Sequence, residues 1–409
     1  MNDKYLAEPD LEFIDEVVRL GGGSLKKCFQ CSTCSVVCPI SPDNKPFPRK
    51  EMIAASWGLR DRLTHNLDIW LCHQCGDCST YCPRGAKPGD VLSAIRAYTI
   101  IQYAIPKSLG KAVNDPKKLP LLIAVPAIIF AVLAFVTMTM GGVMENIFQA
   151  LGLEALGYGW AHHHAEDVIA HADFYSTWFV DLVFIPLSIL VILVFLRGLY
   201  GFLNGIHEQA VADGRSNLDA NESFGSLAVG TIKGIIAEIP SILKHDKFTE
   251  CEENKDRSTA HMMVLYGFIG LFIMTTYGFI ALYLFHNPSP YPQWNPFKIL
   301  ANAAGIALVL GSILMIKNRL AKKDDQVTSY KDWFLIGLVL GLGVSGLLTE
   351  LTRLAGAEAL TYFMYYIHLI FVFCTFAYLP FSKLAHLVYR TVALGYARYA
   401  GRELGTARK

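Results

Sequence analysis

Eight of the ten cysteines in this chain form two runs with the same spacing. The runs are Cys28, Cys31, Cys34 and Cys38, then Cys72, Cys75, Cys78 and Cys82, each followed by a proline. Both read C-x2-C-x2-C-x3-C-P, the spacing that holds [4Fe–4S] clusters in bacterial ferredoxins. Three thiolates spaced by two residues can reach three corners of one cuboid cluster from a tight loop. We therefore predict two cubane clusters and a role in electron transfer.

The fourth cysteine of each run precedes a proline that suits a helix start, so its side chain points away from the loop. In two-cluster ferredoxins this fourth cysteine ligates the other cluster. The resemblance to that motif implies two crossed ligand sets. They are Cys28, Cys31, Cys34 with Cys82, and Cys72, Cys75, Cys78 with Cys38.

Zinc and disulfide bonds are the rival uses of these cysteines. Structural zinc needs four ligands, usually from two separated C-x2-C pairs, and each run here exceeds that need. Disulfides need an oxidising compartment, and the first residues, MNDKYLAEPDLEFIDE, show no basic-then-apolar signal peptide. We therefore favour iron–sulfur clusters in a reducing compartment.

The composition indicates a membrane protein, because the chain is 53% hydrophobic and only 17% charged, against about 25% charged in average soluble domains. Six long apolar stretches follow the cysteine runs: Leu119–Met140, Trp178–Phe202, Met262–Phe285, Ile299–Ile316, Trp333–Leu348 and Tyr362–Phe381. Most approach the roughly 18–20 residues that a helix needs to cross a bilayer. None shows the polar face of a soluble core helix. We predict six membrane helices.

Basic residues predict the orientation of these helices. The side that carries the cysteine runs also carries Lys317, Arg319, Lys322, Lys323, Arg390, Arg398, Arg402, Arg408 and Lys409. The opposite side carries Glu145, Glu154, Glu166, Asp167 and Asp173. Since Lys and Arg gather on the cytoplasmic side, we expect a multi-pass protein of the cytoplasmic membrane with its cysteine runs in the cytoplasm. The net charge of +1 gives no indication of a nucleic-acid partner.

The predicted fold is mainly α: a small helical ferredoxin-like domain with two [4Fe–4S] clusters, fused to a six-helix transmembrane bundle. We place the ferredoxin-like domain at 1–105, a connector at 106–118, the transmembrane domain at 119–395 with a cytoplasmic loop at 203–260, and a basic cytoplasmic tail at 396–409. The histidines and the resemblance described below imply that the transmembrane domain is a cytochrome b bundle that binds haem b.

Three further helices are predicted outside the membrane spans. Leu11–Leu20 and Val91–Tyr103 flank the cysteine runs. Phe224–Phe248 has apolar residues at helical spacing with lysines between them, which is typical of an amphipathic helix. Such a helix would lie on the membrane surface, under a partner, or against the ferredoxin-like domain.

Histidines in the apolar segments are the candidate haem ligands, because ionisable residues in a membrane are costly and usually functional. His386 follows His368 by 18 residues, about 27 Å and five turns along one helix. One helix would then supply a ligand to each of two stacked b-type haems. His261 opens the third span at the depth of His386 and is the candidate second ligand of the inner haem. The alternative for each is an interfacial histidine bonded to water or a headgroup.

The segment Tyr366–Tyr389 resembles the last helix of the cytochrome b subunit of respiratory nitrate reductase and of the membrane subunit of heterodisulfide reductase. The resemblance lies in a histidine, an apolar run, the P-F-S-K step at Pro380–Lys383, and a second histidine. The third span resembles the family helix that supplies the opposing ligands. The second histidine of that helix would fall at Leu271 here, so the chain departs from the pattern there.

His171 is the leading candidate for the second ligand of the outer haem. The partner of His368 must be reachable from the outer side, where the histidines are His162, His163, His164, His171 and His286. His286 follows His261 by 25 residues, about 37 Å of helix, which is too far along to lie level with His368. An early start to the second span would carry His171 inward.

The cysteine domain is similar to the C-type iron–sulfur subunit of heterodisulfide reductases. Its fusion to such a haem domain is the layout found in quinone-interacting membrane-bound oxidoreductase complexes. This resemblance implies two haems b, menaquinone or ubiquinone as membrane partner, soluble subunits with flavin and iron–sulfur centres, and adenylylsulfate reductase in dissimilatory sulfur metabolism. The alternative is the membrane subunit of a heterodisulfide reductase-type complex. Because C-C-G and nucleotide motifs are absent from the sequence, we expect a conduit with a quinone site at most.

Two other patterns have simpler explanations. Gly341, Gly343 and Gly346 spell G-x-G-x-x-G inside the fifth span, where small residues usually permit close approach of a helix or haem. Glu350 and Arg353 are expected to pair with each other at the outer surface. A transporter or sensor with an iron–sulfur domain would need inverted repeats around a midplane site, and the sequence shows none.

Overall fold

The computed structural model describes residues 8–150, 168–244, 257–287, 289–321 and 327–402. The regular elements in these ranges are helices, so the predicted mainly α fold is confirmed. The N-terminal helices are α1 Leu11–Val17, α2 Thr33–Val36, α3 Arg49–Ser56, α4 Arg60–Thr64, α5 Leu67–Leu71, α6 Asp77–Thr80 and α7 Pro88–Tyr103, and the connector contains α8 Lys107–Val113. The remaining helices are α9 Leu119–Ala150, α10 His171–Phe174, α11 Thr177–Ala212, α12 Phe224–Lys244, α13 Arg257–Tyr283, α14 Pro296–Ala321, α15 Tyr330–Leu354, α16 Glu358–Ala377 and α17 Ala385–Tyr399.

Seven of these helices are long and apolar enough to cross a membrane: α9, α11, α12, α13, α14, α15 and α16. Six of them coincide with the predicted spans, except that α13 ends at Tyr283 rather than Phe285 and α16 ends at Ala377 rather than Phe381. The seventh, α12, is the helix that the sequence predicted as amphipathic. It packs along α17, and Leu227 joins the core of the N-terminal domain. The helix therefore lies against α17 and α11, which share that core with the N-terminal domain, and its position on the membrane surface or under a partner stays a prediction.

The N-terminal domain shares its hydrophobic core with α11 and α17. Buried Phe13 and Trp70 belong to the same apolar cluster as Phe202 of α11 and Tyr389 of α17. Burial of such large side chains stabilises a fold by about 1.5–3 kcal/mol each. The domain is therefore packed onto the helices rather than tethered to them by the connector.

Helix α11 is the longest element, with 36 residues, about 54 Å against about 30 Å of bilayer hydrocarbon. The part of α11 that extends beyond the bilayer packs against the N-terminal domain, and the contacts are made at glycines. A Cβ atom on Gly205 would lie 2.5 Å from Cδ2 of His65 and 3.0 Å from the Tyr103 hydroxyl. Only glycine allows this approach. One continuous helix, α11, therefore connects the membrane-spanning bundle to the N-terminal domain.

A buried ion cluster also fastens the two parts together. Arg215, after α11, lies 2.8 Å from Asp68 and 3.6 Å from Glu51, and Arg402 lies 3.0 Å from Asp68. Burial, followed by the negative charge of Asp68, raises the pKa of Glu51 to about 7. The first residues of the predicted basic tail are part of the folded structure, because α17 continues to Tyr399 and Arg402 is only 8% exposed. Residues 403–409, with Arg408 and Lys409, lie outside the described ranges.

Helices α14, α15 and α16 pack closely at glycines. A Cβ atom on Gly341 would overlap the ring of Phe371, and one on Gly343 would lie 2.8 Å from Val309. These contacts confirm that the glycine pattern serves close helix packing. The expected pair of Glu350 and Arg353 is confirmed at 3.0 Å.

Candidate metal centres

The two cysteine runs adopt the same backbone conformation. Gln30 and Ser32 have φ values of 63° and 71°, and the corresponding Gln74 and Gly76 have 54° and 102°. Helices α2 and α6 begin directly afterwards. Left-handed backbone in non-glycine residues is costly and concentrates at functional sites. Each run is therefore a tight loop that folds its first three cysteines around one point.

The first three thiols of run one lie together with Cys82 of run two. Burial raises the pKa of the Cys34 thiol to about 11, and the charges of Cys28, Cys31 and Cys82 add to this effect. Mutual repulsion of this kind disfavours thiolates unless cations lie between them. Iron ions would supply those cations, so the four side chains fit the implied cluster.

The remaining four thiols form a second group. Burial raises the pKa of Cys78 well above its usual value, followed by the charges of Cys72, Cys75 and Cys38. Burial likewise raises the pKa of Cys38 to about 12, with Cys72 and Cys75 contributing. Over the ranges described, no three His, Cys, Asp or Glu side chains are arranged to hold a single metal ion. The crossed sets are close neighbours, and their ligation of clusters stays a prediction.

Hydrogen bonds to sulfur occur in both runs. The backbone N–H of Gln74 donates a hydrogen bond to Sγ of Cys72 at 3.3 Å. Sγ of Cys31 lies 3.3 Å from the Thr33 hydroxyl, and this bond is the main reason that the pKa of Cys31 is lowered. Hydrogen bonds to ligand sulfurs help to set the reduction potential of a cluster.

The second run is enclosed by arginines from three helices. Arg390 of α17 donates to the carbonyl of Cys72 at 3.0 Å, and Arg96 of α7 reaches the same carbonyl at 3.4 Å. Arg257 at the start of α13 donates to the carbonyl of Gln74 at 3.1 Å. Two of these arginines come from the membrane helices or the helix that follows them. The second group of thiols thus faces the helical bundle.

The first run faces away from the bundle. Phe29, Val36 and Tyr81 are 65%, 63% and 49% exposed, and Cys31 is also exposed. The guanidinium of Arg84 lies 4.1 Å from the centre of the Phe29 ring. Apolar side chains therefore surround the outer group of thiols at the protein surface.

His386 lies at the start of α17, beside the second run. Its ring stacks on Trp70 with centroids 5.8 Å apart and an interplanar angle of 18°. Its buried Nδ1 atom has no hydrogen-bond partner. Burial, followed by the charges of Arg96, Arg390, Lys383 and His261, lowers the pKa of His386 far below its usual value. A neutral imidazole is the form that binds metal ions, and the pairing of His386 with His261 stays a prediction.

The prediction that one continuous helix carries both His368 and His386 is wrong. Helix α16 ends at Ala377, a 3₁₀ turn follows at Leu379–Phe381, and α17 begins at Ala385. Proline lacks an amide hydrogen and disfavours helical backbone in the residue before it, so Pro380 ends the span. His368 and His386 therefore lie on separate helices, α16 and α17.

His368 lies within α16 and has the surroundings of an oriented ligand. Its Nδ1 atom lies 3.0 Å from the Ser345 hydroxyl on α15. A Cβ atom on Gly346 would lie 3.0 Å from Cε1 of His368, so glycine makes room for the ring. Ligating histidines usually engage their second nitrogen in such a bond. The surroundings of His368 are those of a haem ligand. The role of Ser345 as its hydrogen-bond partner could not be recognised from the sequence.

His171 opens the short helix α10 at the end of the bundle opposite to the cysteines. Its ring lies 4.5 Å from that of Tyr365 on α16, and its buried Nε2 atom has no hydrogen-bond partner. Burial, followed by the charge of Arg353, lowers the pKa of His171 to about 4, and His368 is among the charges it senses. The structure thus brings His171 near His368. His162, His163 and His164 lie outside the described ranges.

Comparison with known proteins supports the iron–sulfur domain. Residues 24–86 match the family model of the 4Fe-4S dicluster domain. The C-type subunit of the H(2):CoB-CoM heterodisulfide,ferredoxin reductase of Methanothermobacter marburgensis is 38% identical over 88 residues, 21% of this chain and 47% of that protein. A protein of Archaeoglobus profundus, named for its likeness to the C-type component of heterodisulfide reductase, is 33% identical over 111 residues, 26% of this chain and 59% of that protein.

This N-terminal domain is therefore a 4Fe-4S dicluster domain like that of the C-type heterodisulfide reductase component. The chain spans about half the length of the curated relatives it matches. These matches cover 21% and 26% of this chain, and the family model ends at residue 86. No solved structure matches the chain.

Proposed function

We propose that the chain is the membrane electron-transfer subunit of a quinone-linked oxidoreductase complex, with the layout of the C-type component of the quinone-interacting membrane-bound oxidoreductase. The observation that carries the proposal is the stack of His386 on Trp70, two residues before Cys72. A candidate haem ligand thus packs on a side chain that is two positions along the chain from a candidate cluster ligand. Haem b supplies one-electron chemistry when it is bound.

The candidate ligands define an order of electron transfer from the outer end of the bundle to the cysteine runs. His171 and His368 would hold the outer haem, and His261 and His386 would hold the inner haem. Trp70 then leads to the second-run cluster, whose ligand set includes Cys38 of the first run. Each fourth cysteine belongs to one run and ligates the other cluster, so it connects the two clusters directly.

The orientation follows from the basic residues at the end that carries the cysteines. Arg319, Arg390 and Arg402 all lie at that end, where they contact Asp332, the second run and Asp68. Positive residues mark the cytoplasmic side of membrane proteins. The protein then belongs to the cytoplasmic membrane, with both clusters in the cytoplasm and the outer haem near the other surface.

The exposed face around the first run is the proposed exit for electrons. Phe29, Val36 and Tyr81 form an apolar surface beside the outer thiol group, as expected where a redox partner docks. The partners would be soluble subunits with flavin and iron–sulfur centres, and adenylylsulfate reductase would be the acceptor or donor beyond them.

A heterodisulfide reductase-type complex is the second candidate. It is favoured by the relatives, which are named as the C-type components of such reductases. The chain would then serve the same conduit role with a different soluble partner. Mass spectrometry of the purified complex distinguishes the two candidate functions, because it identifies the proteins that copurify with the chain.

Cofactor analysis of the purified chain tests the proposal. Two haems b by pyridine haemochrome and about eight irons with matching sulfide are expected from the ligand sets. A quinol such as menadiol should reduce the haems. Clusters without haem would refute the cytochrome assignment and leave the dicluster domain standing. Haem that no quinol reduces would refute the quinone link alone.

A further inference from the structure

A carboxyl group lies inside an otherwise apolar helix at the outer end of the bundle. Asp181 is one turn from the start of α11, and its carboxylate accepts a hydrogen bond from the hydroxyl of Tyr283, the last residue of α13. Ionisable residues in membrane spans are costly and mark functional sites by default. Neither residue belongs to the candidate haem or cluster ligands.

The pair faces the bilayer rather than the bundle interior. Beside Asp181 on α11, Leu182 and Ile185 are 63% and 47% exposed, and Phe279, whose ring contacts Tyr283, is 51% exposed. Among the described helices, α11 packs chiefly on α16 and α17 and α13 packs on α14. A ligand dissolved in the membrane can therefore reach these polar groups laterally.

The pair lies at the same end of the bundle as the outer candidate haem ligand. His171 opens α10, and Asp181 follows ten residues later in the first turns of α11. The ring of His171 packs on Tyr365 of α16 at 4.5 Å. A proton acceptor and the proposed outer haem would therefore lie at the same end of the bundle.

We propose that Asp181 and Tyr283 form a quinol-oxidation site, an inference that rests on the proposed haem and quinone function. The quinol hydroxyl donates to Asp181, and Tyr283 fixes the headgroup beside it. Two O–H bonds of the quinol would break, and the two haems that the candidate histidines would hold would each accept one of its two electrons. Asp181 takes each proton in turn and passes it to water at the outer surface, so quinol becomes quinone with both protons released there.

A purely structural pair is the competing explanation, because the hydrogen bond also joins α11 to α13. The two explanations differ for Asp181→Asn. An asparagine still accepts the tyrosine hydrogen bond through its carbonyl oxygen but cannot accept a proton from quinol. A structural role predicts that this variant behaves like the wild type, whereas a catalytic role does not.

The test is stopped-flow reduction of haem in the purified full chain, with menadiol as one reductant and dithionite as the other. Asp181→Asn should slow reduction by menadiol about 100-fold, the usual scale of general base catalysis, and Tyr283→Phe about tenfold. Haem content and reduction by dithionite should match the wild type in both. Glu358→Gln, an exposed carboxyl at the same end, is the matched control and should not change either rate.

The outcomes separate this site from the proposed function. If menadiol reduces the Asp181→Asn variant at the wild-type rate, the site assignment is wrong and the quinone-linked function stands. If the wild-type haems are present but menadiol does not reduce them, the quinone link and the site both fail. A chain without haem overturns the cytochrome assignment and this site with it.

Discussion

The rings of Trp70 and His386 stack with centroids 5.8 Å apart, although 316 positions separate the residues in the sequence. Trp70 is fully buried. It also packs on Tyr389 at 5.6 Å and on Phe202 at 5.1 Å. A side chain of the iron–sulfur domain therefore fixes the orientation of a candidate haem ligand.

Removal of the Trp70 ring should release His386. Trp70→Leu would leave a cavity that costs about 3 kcal/mol and would let the imidazole rotate. We expect altered g-values of one low-spin haem and a shifted midpoint potential, measured by low-temperature electron paramagnetic resonance and redox titration. Trp70→Phe keeps a stacked ring and should restore the wild-type signals. Unaltered signals in Trp70→Leu would show that the stack does not position a haem ligand.

The crossed ligand sets make the two clusters interdependent. Cys82→Ser should perturb the cluster built on the first run, because Cys82 is the predicted fourth ligand of that cluster and is among the charges that raise the pKa of Cys34. Low-temperature electron paramagnetic resonance of the reduced protein measures this effect. Cys374→Ser is the control, since Cys374 is buried in the apolar cluster around α16 and should leave both signals intact. Loss of the second-run signal alone would disprove the crossing.

His261 and His386 should ligate the same haem. Either substitution by alanine should remove one low-spin haem from the spectrum and leave the other, because each haem iron needs both axial ligands. The pyridine haemochrome assay should then fall from two haems to about one. Retention of every haem in His261→Ala would mean that α13 supplies no ligand.

The outer haem should depend on His171 and not on His286. His171 has a buried, unpartnered Nε2 atom and senses the charge of His368, whereas His286 follows the end of α13. We expect His171→Ala to lose the outer haem and His286→Ala to keep it. Difference spectra of the reduced proteins provide the measurement. An intact outer haem in His171→Ala would eliminate this assignment.

The buried ion cluster should stabilise the contact between the two parts of the molecule. Asp68→Asn leaves Arg402 buried without its carboxylate and leaves Arg215 with only the more distant Glu51 and Asp213, a change that typically costs about 3–5 kcal/mol. We expect a lower Tm in detergent and faster proteolysis. Glu16→Gln removes only the partly exposed pair with Arg19 and should change stability by less than about 0.5 kcal/mol. Equal Tm values for the two variants would show that the cluster contributes little.

Features that depend on local sequence could be predicted. The spacing within each cysteine run specifies its loop, and apolar length specifies the membrane helices. Pro380 was the available signal for the break before α17, but apolar residues continue on both sides of it, so the pattern resembled one helix. The contact of Trp70 with His386 and the pairing of Arg402 with Asp68 depend on how distant segments pack, and no single segment encodes them.

Because α11 is one continuous helix, the sequence changes that it can accept during evolution are restricted. One inserted residue between the membrane and the glycines at its far end would turn Gly198, Gly201 and Gly205 by about 100° and shift them by about 1.5 Å. Side chains would then meet Tyr103 and Tyr389 where the glycines now lie. Two whole turns, about seven residues, would restore the facing direction but move the clusters about 10 Å farther from the membrane. We therefore expect homologous chains to tolerate substitutions in this helix away from these glycines and to exclude insertions and deletions.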